Sequence, residues 1–243
     1  MKTAAVIPCR YKSSRLEGKP LALIGDKPMM WHVYQQALKT EMLEEVYIAT
    51  DDERIAAACR DHGLNFLMTR PDHATGTDRV AECARLLTAD IIVNIQGDEP
   101  FILPESIDAV ARALQQESSP HVAATNGCAR IHEPEEILDQ SVVKVAISRS
   151  GRALSYSRLP IPLSFRKQAV HYRQLGLYAF RRESLAFFAA TPQGPVEEAE
   201  SVELFRFLEH DRAVLMVEVE EKGIAVDTPA DLEKARRHHQ EHP

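Results

Sequence analysis

Short apolar runs alternate with amphipathic segments through the first half of the chain, and this alternation limits the folds open to it. The runs cover residues 4–7, 45–50, 65–69, 91–95 and 121–125. Between them, apolar residues recur at three and four positions, as around Val33 and Val110, which is the spacing of an amphipathic helix. Repeated strand and helix units form a largely parallel sheet with helices on both faces. The sequence therefore predicts an α/β fold with a mostly parallel, Rossmann-like sheet.

The second half of the chain has a different rhythm. Residues 142–147 and 152–156 read as a hairpin, and a strand is expected at 174–180. Helices are predicted near 183–190 and 196–209, and a last strand and a charged helix close the chain. We expect one domain over residues 1–243, with a core of 1–125 and 212–243 and an α+β insertion over 126–211.

Composition narrows the possible partners and the compartment. The 29 basic and 36 acidic side chains give a net charge of −7, so a nucleic-acid-binding surface is not expected. No apolar run approaches the roughly 18 residues that a membrane span needs, and we expect a cytoplasmic protein. The four cysteines contain no C-x-x-C pair, which argues against a zinc site or a disulfide framework.

Four cations follow the first apolar run within ten residues: Arg10, Lys12, Arg15 and Lys19. A loop at this point lies at the carboxyl edge of the sheet, where open α/β folds hold ligands. Arg offers a planar fork of donors for phosphate oxygens and Lys a mobile point charge, so the loop suits a triphosphate. It matches neither G-x-x-x-x-G-K-[ST] nor G-x-G-x-x-G. A solvated basic loop stays the alternative.

Two aspartates are candidate magnesium ligands. Asp98 ends the most apolar run, and Asp227 precedes Thr228 and Pro229. Mg²⁺ prefers one or two carboxylates together with phosphate oxygens. A satisfied Gly-Asp turn at Asp98 and a helix cap at Asp227 are the alternatives.

Other polar positions are less specific. The loop at residues 70–79 begins with Arg70 and could bind a base or a sugar, or its Thr77 or Asp78 could cap the next helix. Several second-half residues are polar in a region otherwise built to pack, and most of them read as surface positions: Arg158, Arg166, Arg173, Gln174, Tyr178 and Glu203.

Eight motifs occur in order and resemble those of the 3-deoxy-manno-octulosonate cytidylyltransferase (CMP-Kdo synthetase) family over nearly the whole chain. They are IPCRYKSSRLEGKPL, YIATDDERI, MTRPDHATGTDRV, VNIQGDEPFI, VVKV, SYSRLPIP, QLGLYAFR and VDTPADLE. The resemblance implies a nucleotidyltransferase fold, a homodimer, and CTP and Mg²⁺ as requirements. It also implies transfer of CMP to the anomeric hydroxyl of a sugar acid for lipopolysaccharide biosynthesis, with residues 126–211 binding the sugar and forming the dimer.

The resemblance also implies roles for individual residues. It makes Arg10, Arg15 and Lys19 the triphosphate clamp, puts Arg70 and Gln96 near the nucleotide and sugar, and makes Asp98 and Asp227 the metal carboxylates. Its sugar-facing residues are Arg158, Gln174, Tyr178 and Glu203.

Four positions depart from the family pattern. In the basic loop, Glu17 replaces a proline and Cys9 an alanine; on the sugar side, Gln174 replaces a histidine and Leu204 a glutamine. Another 2-keto-3-deoxy sugar acid, including a nine-carbon ulosonic acid, therefore stays an alternative substrate, and a catalytically silent nucleotide-binding subunit a second alternative.

Overall fold

The computed structural model describes residues 1–12, 16–220 and 224–241. The strands are β1 (Thr3–Pro8), β2 (Leu23–Ile24), β3 (Lys27–Pro28), β4 (Glu45–Thr50), β5 (Phe66–Met68), β6 (Ile91–Ile95), β7 (Val122–Arg130), β8 (Lys144–Ile147), β9 (Ala153–Ser157), β10 (Tyr172–Arg181) and β11 (Ala213–Glu218). The helices are α1 (Met29–Leu38), α2 (Glu53–Asp61), α3 (Gly76–Ala84), α4 (Pro104–Gln116), α5 (Pro134–Leu138), α6 (Arg182–Ala190), α7 (Pro195–Glu200), α8 (Phe205–Leu208) and α9 (Pro229–Glu241).

The central sheet has the strand order β11-β7-β10-β6-β1-β4-β5, and the β8–β9 hairpin extends from β10. Strand β1 runs parallel to both β4 and β6, β5 parallel to β4, and β11 parallel to β7. The predicted α/β fold is confirmed. Since the carboxyl ends of β1, β4 and β6 meet at one edge, the loops after these strands converge there.

Strand β10 is the main departure from the expected layout. It belongs to the segment predicted as an insertion, yet it lies between β6 and β7 and runs antiparallel to both. Its residues Leu177, Ala179 and Phe180 are fully buried, because the strand has core on both sides. Residues 126–211 therefore share the central sheet with the strands of residues 1–125.

Apolar side chains cover both faces of the sheet. One cluster contains Val80 and Phe207 and packs α3, α6 and α8 against the sheet. The other contains Val33 and Ile107 and packs α1 and α4 against the opposite face. Burial on both faces explains why β1 and β6 are nearly continuous apolar runs rather than alternating ones.

Two helices differ from the sequence-based expectation. Helix α3 begins at Gly76, inside the predicted 70–79 loop, because Thr75 and Asp78 form a capping box: each side chain accepts a hydrogen bond from the other's backbone N–H. The single helix expected over 196–209 is divided into α7 and α8, since Ser201 adopts a left-handed φ of 54° and ends α7.

Two negative predictions concern cysteines and membrane spans. The four cysteines, which the sequence predicts to form no disulfide framework, are buried and free. Among the helices of the described ranges, none is both long and apolar enough to cross a bilayer.

Candidate active site

The loops after β1 and β6 touch each other at the carboxyl edge of the sheet. The N–H of Cys9 donates to the carbonyl of Ala49 at 2.8 Å, which continues the β1 ladder into the basic loop. A Cβ on Gly97 would lie 2.9 Å from Cys9 Sγ and 3.2 Å from the carbonyl oxygen of Pro8. Only glycine fits this contact, so the two loops can form one site.

The basic loop lines a pocket of about 370 Å³, here called the basic pocket. Its polar residues are Arg10, Lys12, Lys19, Gln96 and Asp98. Gly18 has a φ of 66° and donates its N–H to the carbonyl of Tyr11 at 2.9 Å, which folds the loop back toward the sheet. Three of the four predicted cations, Arg10, Lys12 and Lys19, thus line the same pocket as Asp98. The fourth, Arg15, lies outside the described residues.

Lys19 joins the two predicted metal carboxylates. Its Nζ lies 2.7 Å from Asp98 Oδ2 and 3.1 Å from Asp227 Oδ1. Burial lowers the pKa of the Lys19 ammonium, but the two carboxylates outweigh it and the pKa is raised overall. The backbone also links the carboxylates, because the N–H of Val226 donates to the carbonyl of Asp98 at 2.9 Å.

Asp227 is available to Lys19 because its neighbours cap helix α9. Thr228 Oγ1 accepts from the N–H of Asp231 at 3.2 Å, and Asp231 Oδ2 accepts from the N–H of Thr228 at 3.0 Å. The helix cap predicted as an alternative role of Asp227 therefore belongs to Thr228 and Asp231.

The donor set fits Mg²⁺. Two carboxylate oxygens converge on one cation, and within the described ranges no group of three or more His, Cys, Asp or Glu residues is arranged to hold a metal. Two carboxylates and no full protein cage is the arrangement in which Mg²⁺ takes its remaining ligands from phosphate oxygens and water.

A second pocket of about 580 Å³, here called the acidic pocket, adjoins the first. Its lining includes Gln96, Gln174, Tyr178, Glu203 and Asp227, all singled out by the sequence analysis. The other carboxylates of its wall are Glu99, Glu136, Asp139 and Asp231, and its cations are Arg173 and Lys234.

Gln96 lines both the basic and the acidic pocket, and its position depends on a glycine. The N–H of Gln96 donates to the carbonyl of Gly176 on β10 at 2.9 Å. A Cβ on Gly176 would lie 2.6 Å from Gln96 Cγ. The side chain therefore occupies space that any other residue at 176 would fill.

Glu203 lies under a third, smaller pocket of about 300 Å³, which also contains Arg10 and Thr75. Its carboxylate accepts hydrogen bonds from the backbone N–H groups of Gly76 at 3.0 Å and Thr77 at 3.2 Å, and from the Thr77 hydroxyl. Burial raises the pKa of Glu203, although these three donors act against the shift. The carboxylate thus caps helix α3 as well as lining two pockets.

A polar chain continues from this carboxylate into the sheet. The fully buried Asn94 donates from Nδ2 to Thr77 Oγ1 at 3.1 Å, and its Oδ1 lies 3.5 Å from Gln96 Nε2. On the adjacent strand, Gln174 Nε2 donates to Tyr178 Oη at 3.0 Å. Burial raises the pKa of the Tyr178 phenol, so this group is a neutral hydrogen-bonding partner.

Two predicted residues lie outside these pockets. Arg70 is exposed in a neighbouring groove, with its Nε 3.7 Å from Asp72 and 3.9 Å from Glu82. Arg158 donates from Nε to the carbonyl of Glu200 at 2.8 Å and from Nη1 to that of Gln140 at 2.9 Å. Their proposed ligand contacts stay predictions.

The structure also shows how three other residues lie relative to the acidic pocket. Leu204 is fully buried and does not line the acidic pocket. Arg173, one of the polar second-half positions noted in the sequence, lines it from β10, and Lys234 lines it from α9, a charged helix that offered no chemical reason to choose this residue.

Known cytidylyltransferases are similar to this chain in sequence and in fold. The model of a cytidylyltransferase family matches residues 4–218. A curated 3-deoxy-manno-octulosonate cytidylyltransferase of Solibacter usitatus is 44% identical over 97% of this chain and 94% of its own. A solved structure of CMP:2-keto-3-deoxy-manno-octonic acid synthetase complexed with CTP is 38% identical, covers 100% of both chains and superposes with a TM-score of 0.94.

A more distant structure, a putative glucose-1-phosphate thymidylyltransferase from Bacillus anthracis, superposes with a TM-score of 0.71 at 14% identity over 99% of this chain and 96% of its own. At this identity the likeness extends to the fold alone, which is that of nucleotidyltransferases. Taken with the match over residues 4–218 and the 44% identity, it leads to one conclusion: the chain belongs to the cytidylyltransferase family, among the 3-deoxy-manno-octulosonate cytidylyltransferases.

Proposed function

We propose that this protein transfers CMP from CTP to 3-deoxy-manno-octulosonate and releases pyrophosphate. The observation that carries the proposal is the contact of Lys19 with Asp98 and Asp227, because Asp98 lines the basic pocket and Asp227 the acidic pocket. A nucleoside triphosphate in the basic pocket and a sugar acid in the acidic pocket would meet at Lys19, Asp98 and Asp227.

The basic pocket supplies the positive charge that a triphosphate needs. Arg10, Lys12 and Lys19 face the same space, and a charged donor strengthens each contact with a phosphate oxygen. The predicted clamp of Arg10, Arg15 and Lys19 has the same chemistry. As the β–γ diphosphate leaves, these cations stabilise the charge that develops on it.

The acidic pocket suits a sugar acid with many hydroxyl groups. Its carboxylates can accept hydrogen bonds from hydroxyls, and the amides of Gln96 and Gln174 can both accept and donate them. Arg173 and Lys234 supply positive charge for the substrate's carboxylate. The pocket volume of about 580 Å³ lies within the range of small-ligand sites.

The reaction is a displacement at phosphorus. The anomeric hydroxyl oxygen forms a bond to the α-phosphorus, the bond from that phosphorus to the α–β bridging oxygen breaks, and the hydroxyl proton goes to solvent. Gln96 lines both pockets and so can contact the nucleotide and the sugar together. The protein's work is to orient the two substrates and to offset charge.

The same proposal includes Mg²⁺, with Asp98 and Asp227 as its protein ligands. When bound there, the ion would neutralise phosphate charge and lower the pKa of the attacking hydroxyl. The chain's own contribution is to keep the two carboxylates side by side, through Lys19 and through the hydrogen bond from Val226 to Asp98.

The test is pyrophosphate release from CTP, Mg²⁺ and 3-deoxy-manno-octulosonate, with other 2-keto-3-deoxy sugar acids in parallel. We expect the highest kcat/KM with 3-deoxy-manno-octulosonate, and Asp98→Asn should lower it by about 10²–10³-fold. Asp26→Asn, which changes a carboxylate that is 85% exposed, is the matched control. An inactive wild type, or a preference for a nine-carbon acid, would contradict the proposal.

We also propose that the protein acts as a homodimer. Large apolar side chains on β9 and the segment after it are exposed: Leu154, Leu159, Leu163, Phe165 and Val170. Such a patch is costly to leave in water, and a second copy of the same surface is a chemically matched partner.

Sedimentation of the wild type should give the mass of a dimer, and Phe165→Asp should give a monomer. Leu86 lies outside this segment and is 65% exposed, so Leu86→Asp should leave the dimer intact. A wild type that sediments as a monomer at micromolar concentration would refute this part of the proposal.

A further inference from the structure

Lys144 is a buried cation whose ammonium contacts only backbone oxygens among the described residues. It is the first residue of β8, and its side chain is fully buried. Nζ donates to the carbonyls of Asp139 at 2.7 Å, Val142 at 2.8 Å and Arg158 at 2.8 Å. An ammonium has three donors, so all three are used.

Burying the Lys144 ammonium costs desolvation free energy, which its hydrogen bonds must offset. Burial lowers the pKa of Lys144, with the nearby Asp139 carboxylate opposing the shift and Arg158 adding to it. If the site required only packing, an apolar residue of similar length would fill it without that desolvation cost. What an apolar residue lacks is the ability to hold three carbonyls at one point.

The carbonyls belong to segments that form the wall of the acidic pocket. Asp139, Ser141, Val142 and Val143 all line it, and Lys144 contacts two of the carbonyls in this stretch. The Asp139 carboxylate is fixed in turn by the N–H of Ser141 at 2.8 Å and by its hydroxyl at 2.7 Å.

The third carbonyl, that of Arg158, links this wall to a second stretch of the pocket lining. Lys144 holds the carbonyl of Arg158, while the guanidinium of Arg158 donates to the carbonyls of Gln140 and Glu200. The N–H of Arg158 donates to the Glu200 carboxylate at 3.0 Å. Residues 201–203, which follow Glu200, line the acidic pocket.

We propose that Lys144 is a positioning residue for the sugar acid: its ammonium fixes the pocket wall at residues 139–143 and, through Arg158, the wall at 200–203. The inference rests on the proposed function, because it assigns the acidic pocket to the sugar. A displacement of about 1 Å in a binding wall can cost up to about 10²-fold in rate.

The test is Lys144→Met, which keeps the length of the side chain and removes the three donors. We expect the KM for 3-deoxy-manno-octulosonate to rise at least about tenfold and the KM for CTP to change less than about twofold, since none of the described residues that line the basic pocket belongs to this cluster.

Arg181→Met is the matched control. Arg181 also binds backbone carbonyls, those of Val122, Leu114 and Glu117, but it pairs with Ile91 at the start of β6, at the opposite edge of the sheet from the site. The Arg181→Met variant should be less stable, while its KM values for CTP and for 3-deoxy-manno-octulosonate stay near those of the wild type.

Three outcomes would overturn the inference: a folded Lys144→Met with an unchanged sugar KM, a parallel rise of both KM values, or an equal rise in Arg181→Met. If Lys144→Met does not fold, Lys144→Gln, which retains two N–H donors, takes its place. This variant should show a smaller rise in the KM for the sugar acid with the KM for CTP unchanged, and no such rise would also overturn the inference. A wild type that does not use the sugar acid would instead refute the proposed function.

Discussion

Gly176→Ala tests whether the position of Gln96 matters for turnover. The added Cβ would lie 2.6 Å from Gln96 Cγ and 2.9 Å from its Cβ. Carbon atoms in contact are about 3.5 Å apart at the closest favourable distance, so Gln96 must move by about 1 Å or the strands must separate. The contact involves atoms next to the Gln96 backbone, and rotation of the terminal amide alone cannot relieve it.

The magnitude depends on which group moves. If Gln96 moves, a displacement of about 1 Å predicts a loss of about 10- to 100-fold in kcat/KM with little change in stability. If it stays, overpacking costs about 1–3 kcal/mol of the free energy of unfolding. Either response distinguishes Gly176 from Gly127 on the adjacent strand β7, where an added Cβ would have its nearest contacts at 3.5–3.6 Å.

The assay pairs urea unfolding with pyrophosphate release for Gly176→Ala, Gly127→Ala and Gln96→Ala. We expect Gly127→Ala to keep most activity and Gln96→Ala to lose at least as much as Gly176→Ala. A Gly176→Ala protein with wild-type kcat/KM and wild-type stability would refute the reasoning, because neither displacement nor strain would then have a consequence.

Three further changes have expected outcomes. Lys19→Met removes from the basic pocket the ammonium that also contacts Asp98 and Asp227. It should lower kcat/KM for CTP by at least about tenfold, since a charge-assisted bond to a phosphate oxygen would contribute about 1.5–3 kcal/mol; an unchanged value would contradict the assignment of Lys19 to the triphosphate clamp. Burial and the adjacent His239 lower the pKa of His32 below its ordinary 6.5. The unfolded chain therefore binds the proton more readily, and the free energy of unfolding should decrease as the pH falls from 6.5 toward the lowered pKa. In urea titrations at several pH values, His32→Gln should show a weaker dependence of stability on pH. Arg206→Met removes the two contacts, at 2.6 and 2.8 Å, that the guanidinium makes with the carboxylate of the buried Glu197, and the loss of this buried ion pair should cost about 3–5 kcal/mol of the free energy of unfolding. The urea midpoint should therefore be lower, and an unaltered midpoint would contradict this.

Secondary structure can be predicted from the sequence wherever it depends on residues that are close together in the chain. The strand limits at 45–50 and 91–95 were predicted to the residue, because a β-branched run bounded by polar residues leaves little choice. The start of α3 was misjudged, since the capping box of Thr75 and Asp78 competes with several equivalent polar residues in the same loop. The helix over 196–209 was expected to be continuous, because its apolar spacing carries no sign of the turn at Ser201.

By itself, the sequence determined the α/β class, the basic loop after β1 and the family, because these depend on local periodicity, on charge density and on motifs in order. Only the tertiary structure decided that β10 enters the sheet beside β6, that Asp98 and Asp227 meet at Lys19, and that Lys144 holds the wall of the acidic pocket. Asp98 and Asp227 are 129 positions apart (227 − 98). No local pattern records such a contact, since it is set by the order of the strands and by packing on both faces of the sheet.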